Sequence, residues 1–256
     1  MMIALAPLMA QAVAASGFAP PLDRPIAYTI SEVREDGART QRFAVDRRVT
    51  FRRTANGFTA TVETLAVTGD AGRAGQLLVA MARATLDQRI VVRLDSAGRV
   101  IDVDDIDAVW AAQVASVTRA LTGPDPARAA TVAALTAPLQ AMPRAGQVKR
   151  IGDMVAAVIA SSPLAPSPAR VVSLPARGRD GGEVLLAGTE QAAVAPDGLL
   201  QFERKASGVV GGSPMTVVQR RRIDSRTGLI RDAVAISTVD TAGVRQIVTR
   251  STVMKP

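Results

Sequence analysis

Two stretches of this chain alternate apolar with polar or small residues, and one block of helical periodicity separates them. The first stretch covers residues 26–103, and in it Ile26, Tyr28 and Ile30 alternate with smaller positions. Side chains of a strand point alternately to its two faces, so this pattern predicts half-buried β-strands. The second stretch, residues 170–253, is divided by turn residues into pieces of similar length, which is typical of an antiparallel meander.

Local signals refine this outline. Asn56-Gly57 predicts a hairpin, because both residue types tolerate the positive φ of a type I′ turn. Residues 76–86 are predicted to form a short helix, and the proline-rich residues 163–168 are predicted to be an extended linker.

The block between the two stretches covers about residues 104–162 and reads as helical. Its first helix has an apolar stripe that includes Trp110, Val114, Val117 and Leu121. Helices gathered in one block, rather than alternating with strands, argue against a doubly wound α/β fold. We therefore predict an α+β, mainly β fold: a curved antiparallel sheet, or half-barrel, with a central block of inserted helices on its concave face.

Residues 1–15 are apolar and uncharged, and they contain Ala12-Val13-Ala14, an A-x-A pattern of the kind that signal peptidase cuts. The segment is shorter than the roughly 20 apolar residues that cross a bilayer. It predicts a signal segment at 1–15, a single β-rich domain at 16–256, and a periplasmic or secreted protein without a transmembrane span. The alternative is an N-terminal helix packed on the domain.

The chain contains neither histidine nor cysteine. This composition excludes Ser–His–Asp triads, histidine-based metal sites, thiolate nucleophiles and zinc–thiolate sites. The sequence also lacks a glycine-rich phosphate-binding motif and a nucleophile elbow. We therefore predict no catalytic residue, no metal and no cofactor, and we expect a binding protein rather than an enzyme.

Two acidic patterns suggest other chemistry. Residues 102–107 contain alternating Asp, which suits a hard cation, but they do not match an EF-hand loop, and Asp104 and Asp105 suit a helix start. Asp95, Asp224 and Asp240 each begin a turn-like segment. Two of these carboxylates would support a hydrolase if they converged in a cleft, whereas three separate hairpin turns are the simpler interpretation.

The formal net charge is +8, and the basic residues form clusters. Neighbouring residues of a strand point to opposite faces, so each cluster is split between two surfaces. Few aromatic residues lie among the arginines, so the sequence argues against nucleic acid as a partner; an anionic envelope surface is the alternative. The clustered residues are Arg47, Arg48, Arg52, Arg53, Arg220, Arg221 and Arg222.

The order of elements over residues 26–253, preceded by a signal-like segment, resembles that of periplasmic lipoprotein carriers and related exported envelope proteins. The resemblance implies a half-barrel with an aliphatic cavity for an acyl chain. Trp110 either plugs the sheet as core or, with Val114, Val117 and Leu121, lines such a cavity. The predicted function is non-enzymatic binding of a lipid or other hydrophobic ligand. The alternatives are an arginine-rich protein that contacts an anionic surface and a carboxylate-dependent hydrolase.

Overall fold

The computed structural model describes residues 17–70, 79–122, 129–160, 164–177, 183–241 and 244–255. The predicted signal segment at 1–15 lies outside the described residues. Five strands precede the helical block: β1 (Pro25–Asp36), β2 (Arg39–Thr54), β3 (Gly57–Gly69), β4 (Arg89–Asp95) and β5 (Val100–Val103). A helical segment at residues 79–83, inside the predicted short helix, precedes β4.

The helical block contains α1 (Ile106–Thr122), α2 (Ala129–Gln140) and α3 (Arg144–Ala156). The second meander contains β6 (Ser167–Arg177), β7 (Glu183–Val194), β8 (Leu200–Val210), β9 (Ser213–Asp224), β10 (Leu229–Thr241) and β11 (Val244–Met254). These bounds confirm the helical stripe of α1 and most of the strands predicted from alternation. The predicted linker at residues 163–168 is shorter than expected, because β6 already begins at Ser167.

All the described strands form one antiparallel sheet of eleven strands in the order β5-β4-β3-β2-β1-β11-β10-β9-β8-β7-β6. The first strand pairs with the last along the register from Tyr28 with Met254 to Asp36 with Gln246. As a result, β5 and β6 lie at the two edges, and the helical block that joins them lies across the concave face. The predicted α+β, mainly β half-barrel with inserted helices is confirmed.

The hairpin predicted from Asn56-Gly57 forms, but with a different geometry. Ala55 and Asn56 make the turn, and Gly57 is the first residue of β3, paired with Thr54. Gly57 has φ +151°, and a Cβ there would lie 2.2 Å from the Leu94 carbonyl oxygen. Glycine is thus required by the close approach of β4, not by a type I′ turn.

The main core joins the first meander to the helices. Phe51, Val92 and Leu94 on the concave face are buried in one cluster with Trp110 of α1 and Val155 of α3. Burying such side chains contributes about 1.5–3 kcal/mol each. The segment before β1 closes one end of this core, because the ring of Phe18 packs edge-on against Phe51 and Phe58, with centroids 5.7 and 5.1 Å away.

The end of α3 is fastened to the second meander. The Ile230 N–H donates to the Val158 carbonyl oxygen, and the Ala160 N–H donates to the Gly228 carbonyl oxygen, both at 2.9 Å. These bonds fix the C-terminal end of α3 beside the beginning of β10. The Tyr28 hydroxyl of β1 donates to the Met154 carbonyl oxygen at 2.7 Å, which adds a third attachment to the sheet.

Two buried carboxylates on the concave face are each held by two arginines. Arg170 Nε and Arg204 Nε donate to Glu190 at 2.7 and 2.8 Å. Arg34 and Arg250 donate in the same way to Glu32. Burial acts to raise the pKa of both glutamates, but the hydrogen bonds and charges of the arginines outweigh it, so both pKa values lie below the ordinary range.

These ion clusters predict acid sensitivity. Because the folded pKa of Glu190 is depressed, its contribution to stability is fully present above its ordinary value of 4.5 and is lost as the pH falls through the folded value. We expect Glu190→Gln to destabilise the fold by about 1–3 kcal/mol at neutral pH and to lose less stability in acid than the wild type.

Urea unfolding followed by circular dichroism at pH about 7 and about 3 measures both effects. Glu35→Gln, on the exposed part of β1, is the matched control and should behave as the wild type. A Glu190→Gln variant with the wild-type dependence of stability on pH would contradict the prediction.

Candidate ligand-binding cleft

A cleft of about 920 Å³ lies on the concave face between α3 and the centre of the sheet. One wall is α3 together with the β4–β5 hairpin, and the other is formed by β9, β10 and β11. Volumes of about 300–1,000 Å³ are typical of sites for small ligands. The apolar lining is aliphatic and includes Val100, Ile101, Val148, Ile159, Ile230 and Ala235.

Small residues create this space. The side of α3 that faces the cleft carries Ala145, Gly152 and Ala156, and β10 opposite carries Ala233 and Ala235. A Cβ on Gly152 would lie 2.7 Å from Val100 Cγ1, so glycine lets α3 pack closely against β5. The helix is thus drawn toward the first meander, and the short side chains of β10 do not fill the gap on the other side.

Charged residues surround the cleft, and most are neutralised. Four of the basic side chains that line it form ion pairs with a carboxylate. These are Arg99 with Asp95 at 2.7 Å, Arg144 with Asp102 at 2.9 Å, Lys149 with Asp153 at 3.6 Å, and Arg250 with Glu32 at 2.5 Å. A fifth basic residue, Arg221 of β9, also lines the cleft, next to Gln219 on the same face.

The four residues predicted from the helical stripe do not line this cleft. Trp110 is 5% exposed, and its Nε1–H donates to the Leu139 carbonyl oxygen at 3.0 Å, so it belongs to the core. Val117 is fully buried against Ala80 and Met81, and Leu121 packs on that cluster. Trp110 and Val114 instead border a separate hollow of about 630 Å³ beside α1.

This difference has a physical reason. A helical stripe shows which face of a helix is turned inward, but it does not show whether the space opposite is filled. Opposite α1, the large residues of the first meander fill it. The cleft lies beside α3 instead. The residues that leave it open are alanines and a glycine on α3 and β10, two elements that come together only in the folded chain.

The predicted arginine clusters are divided between the two faces of the sheet. In the first, Arg47 is only 9% exposed and lies on the concave side, whereas Arg48 points outward to Glu63. Burial lowers the pKa of Arg47, and the charge and hydrogen bond of the neighbouring Tyr28 act in the opposite direction. Burial also raises the pKa of Tyr28, to about 12. Arg52 pairs with Asp23 at 3.0 Å, and Arg53 lies over the Phe58 ring, 4.8 Å from its centroid.

The second cluster is divided in the same way. Arg220 and Arg222 point outward and pair with Glu203 at 2.9 Å and Asp232 at 3.1 Å, while Arg221 points to the concave side. The outward-facing arginines of both clusters are therefore largely neutralised by carboxylates, which lie on adjacent strands or, for Arg52, just before β1. They do not combine into one uncompensated basic surface.

The three aspartates of the hydrolase hypothesis do not meet. Asp224 ends β9, whereas Asp240 lies at the far end of β10, a full strand length away. Asp95 ends β4, and although its turn and the turn after β9 both pack against Phe18, the hydrogen bonds of Asp95 stay within its own hairpin. Its carboxylate accepts the Ala97 and Arg99 N–H groups at 2.9 and 2.8 Å. Burial acts to raise the pKa of Asp95, but these bonds and the Arg99 side chain lower it overall.

The acidic run at residues 102–107 is used for ion pairs. Asp102 binds Arg144, and Asp104 accepts from Arg93 Nε at 2.5 Å. Asp104 and Asp105 directly precede a helix, as predicted, because α1 begins at Ile106. Within the described part of the chain, no group of acidic residues is arranged to hold a metal ion.

Comparison with known proteins identifies no family for this chain. No protein-family model matches the sequence, and no curated protein matches it. A solved structure of lipovitellin, described in terms of its lipid–protein interactions, is similar with a TM-score of 0.47 and 11% identity. The match covers 91% of this chain and 25% of the lipovitellin chain, so this chain spans about a quarter of that length. A likeness of this degree does not bear on function.

The helices of the described residues give one further result. None of them is both long enough and apolar enough to cross a membrane. The helices instead bury their apolar faces against the sheet, as the clusters around Trp110 and Val117 show.

The position of Trp110 predicts how its replacement will behave. Trp110→Phe removes volume from the core and leaves the Leu139 carbonyl oxygen without its donor, so we expect a loss of about 1–3 kcal/mol of stability. Because Trp110 does not line the cleft, occupancy of the cleft by a neutral fluorophore should change less than about twofold. Urea unfolding measures the stability, and a fluorescence titration measures the binding of the fluorophore. Stability at the wild-type level with weakened binding would show that Trp110 belongs to the binding site.

Proposed function

We propose that this protein binds a lipid or another hydrophobic molecule in the cleft between α3 and the sheet, without catalysing a reaction. The observation that carries the proposal is the aliphatic lining of a space of about 920 Å³ beside a core in which the first meander and the helices bury their large side chains. Apolar walls that face water gain free energy when an apolar ligand covers them, at about 25 cal/mol for each Å² removed from water.

The rim of the cleft is compatible with ligand entry. The ion pair Arg144–Asp102 joins α3 to β5, and the pair Lys149–Asp153 lies within α3. The basic side chains of the two pairs are 53% and 79% exposed. Exposed pairs of this kind contribute about 0–1 kcal/mol each. They can therefore open and close at little cost, whereas the hydrogen bonds at Val158 and Ala160 keep the other end of α3 attached to β10.

The other two hypotheses have less support. Contact with an anionic surface needs unpaired charge, and the outward members of the arginine clusters are largely paired with carboxylates. A hydrolase needs two carboxylates in one cleft, and Asp95, Asp224 and Asp240 serve different hairpins. A hydrophobic ligand is therefore the function that the geometry supports best.

Filling the cleft tests the proposal. Ala235 lies on the wall opposite α3, so Ala235→Phe should place a ring in the space and weaken binding of neutral N-phenylnaphthylamine by about tenfold. Ala187→Phe is the matched control, because Ala187 is exposed and points to the convex face of β7. The readout is the fluorescence increase on titration. No increase with the wild-type protein, or equal affinities for all three proteins, would refute the proposal.

We also propose that the protein is exported to the periplasm or secreted. The support is the uncharged apolar segment at residues 1–15 with its Ala12-Val13-Ala14 pattern. Expression of the full sequence in a Gram-negative bacterium should give a periplasmic product whose N-terminus follows that pattern, as read by mass spectrometry. Ala14→Lys should block this cleavage. A cytoplasmic product that keeps the apolar segment would refute the proposal.

A further inference from the structure

One basic side chain in the wall of the cleft differs from the others. Arg221 of β9 lies opposite Phe202 of β8 and Ala233 of β10, and its guanidinium carbon is 5.7 Å from the centroid of the Phe202 ring. Phe202 is buried in a cluster with Ile223 and Ile230. Arg221 is thus on the concave side, at the inner end of an aliphatic surface.

The charge of Arg221 is not compensated. Every other basic residue of the cleft has a carboxylate within salt-bridge distance, but among the described residues none lies that close to Arg221. The nearby Arg204 adds repulsion, because its own partner Glu190 is shared with Arg170. Burial lowers the pKa of Arg221, and the charge of Arg204 lowers it further.

A second polar group beside it also lacks a partner. Gln219 lies two residues before Arg221, on the same face of β9, and lines the same cleft. Its Oε1 atom is buried, and within the described part of the chain it accepts no hydrogen bond. Buried polar groups without partners cost free energy, so an uncompensated cation and an unpaired amide oxygen on the same face of β9 are poorly explained by folding alone.

A ligand with an anionic head would compensate the charge of Arg221. The planar guanidinium has several N–H donors in the arrangement that carboxylates and phosphates accept. Gln219 Oε1 can accept a hydrogen bond from a hydroxyl of the head, such as the P–OH of a phosphate monoester. Toward a carboxylate, Gln219 has to turn its amide and donate through the NH₂ group instead. The aliphatic surface around Val148 and Ile230 remains for an attached chain.

We infer that the ligand of the cleft is an anionic amphiphile, with a carboxylate or phosphate head bound by Arg221 and Gln219 and an aliphatic chain along α3. This inference rests on the proposed function and narrows it from hydrophobic molecules in general to those with one negatively charged end. The Phe202 ring lies within cation–π distance of Arg221 at 5.7 Å and of Arg204 at 5.3 Å, so it contacts the guanidinium that would bind the head group.

The experiment compares ligands that share one chain. Dodecyl phosphate, dodecanoate, dodecanol and inorganic phosphate are titrated below their micelle-forming concentrations by calorimetry. The wild-type protein should bind the two anionic chains about tenfold or more tightly than dodecanol, and inorganic phosphate far more weakly than dodecyl phosphate. Added salt should reduce the preference for the anionic chains.

Two variants locate the effect. Arg221→Gln should lose the preference for anionic chains while its affinity for dodecanol stays within about twofold, and Arg221→Lys should keep part of the preference. Arg220→Gln removes one positive charge from the preceding residue, which points to the convex face, and its affinities for the four ligands should match those of the wild type.

The outcomes separate the two proposals. Equal affinity of the wild type for dodecanol and the anionic chains, or an unchanged preference in a folded Arg221→Gln variant, would overturn the anionic head and leave hydrophobic binding intact. Inorganic phosphate that binds as tightly as dodecyl phosphate would overturn the amphiphile. No binding of any chain by the wild type would overturn the proposed function itself. The comparison of ligands on the wild type decides the point even if Arg221→Gln fails to fold.

Discussion

The pairing of β1 with β11 is the contact on which the rest of the structure depends. It joins two meanders that would otherwise be separate sheets, and it places β5 and β6 at the outer edges of the product. The segment that connects these edges has to cross the concave face, so the helices lie there because of the topology and not only because of their own apolar faces. Without this pairing there would be neither a common core nor a space between helices and sheet.

The cleft results from an unequal division of side-chain volume across that concave face. The first meander offers Phe51, Val92 and Leu94, which α1 and α3 cover completely. The part of the second meander that faces α3 offers Ala233 and Ala235, with Arg221 and Arg250 nearby. Since α3 is held close to β5 through Gly152, it cannot approach both halves equally, and the half with the smaller residues stays open.

The sequence predicts the architecture far better than the site. Period-two alternation identifies strands because it depends on residues near each other in the chain, and the stripe around Trp110 identifies α1 for the same reason. The cleft exists because small side chains leave a space between α3 and β10, which are distant in sequence. An alanine in the sequence does not indicate whether the position opposite it will also be small. The arginine pairs show the same limit: Arg220 and Arg221 look alike in sequence, and only the register with β8 shows that the first meets Glu203 and the second faces Phe202.

The join between β1 and β11 also bears on how the chain reaches its folded state. Each meander is made of neighbouring hairpins and needs only local contacts, whereas their union requires residues more than 200 positions apart, such as Ser31 and Ser251, to find each other. Contacts so distant in sequence close slowly, because the entropy of the long intervening loop is lost before the contact is gained. Because β11 follows β6 to β10 in the chain, the pairing that joins the two meanders can form only after both meanders have been synthesised.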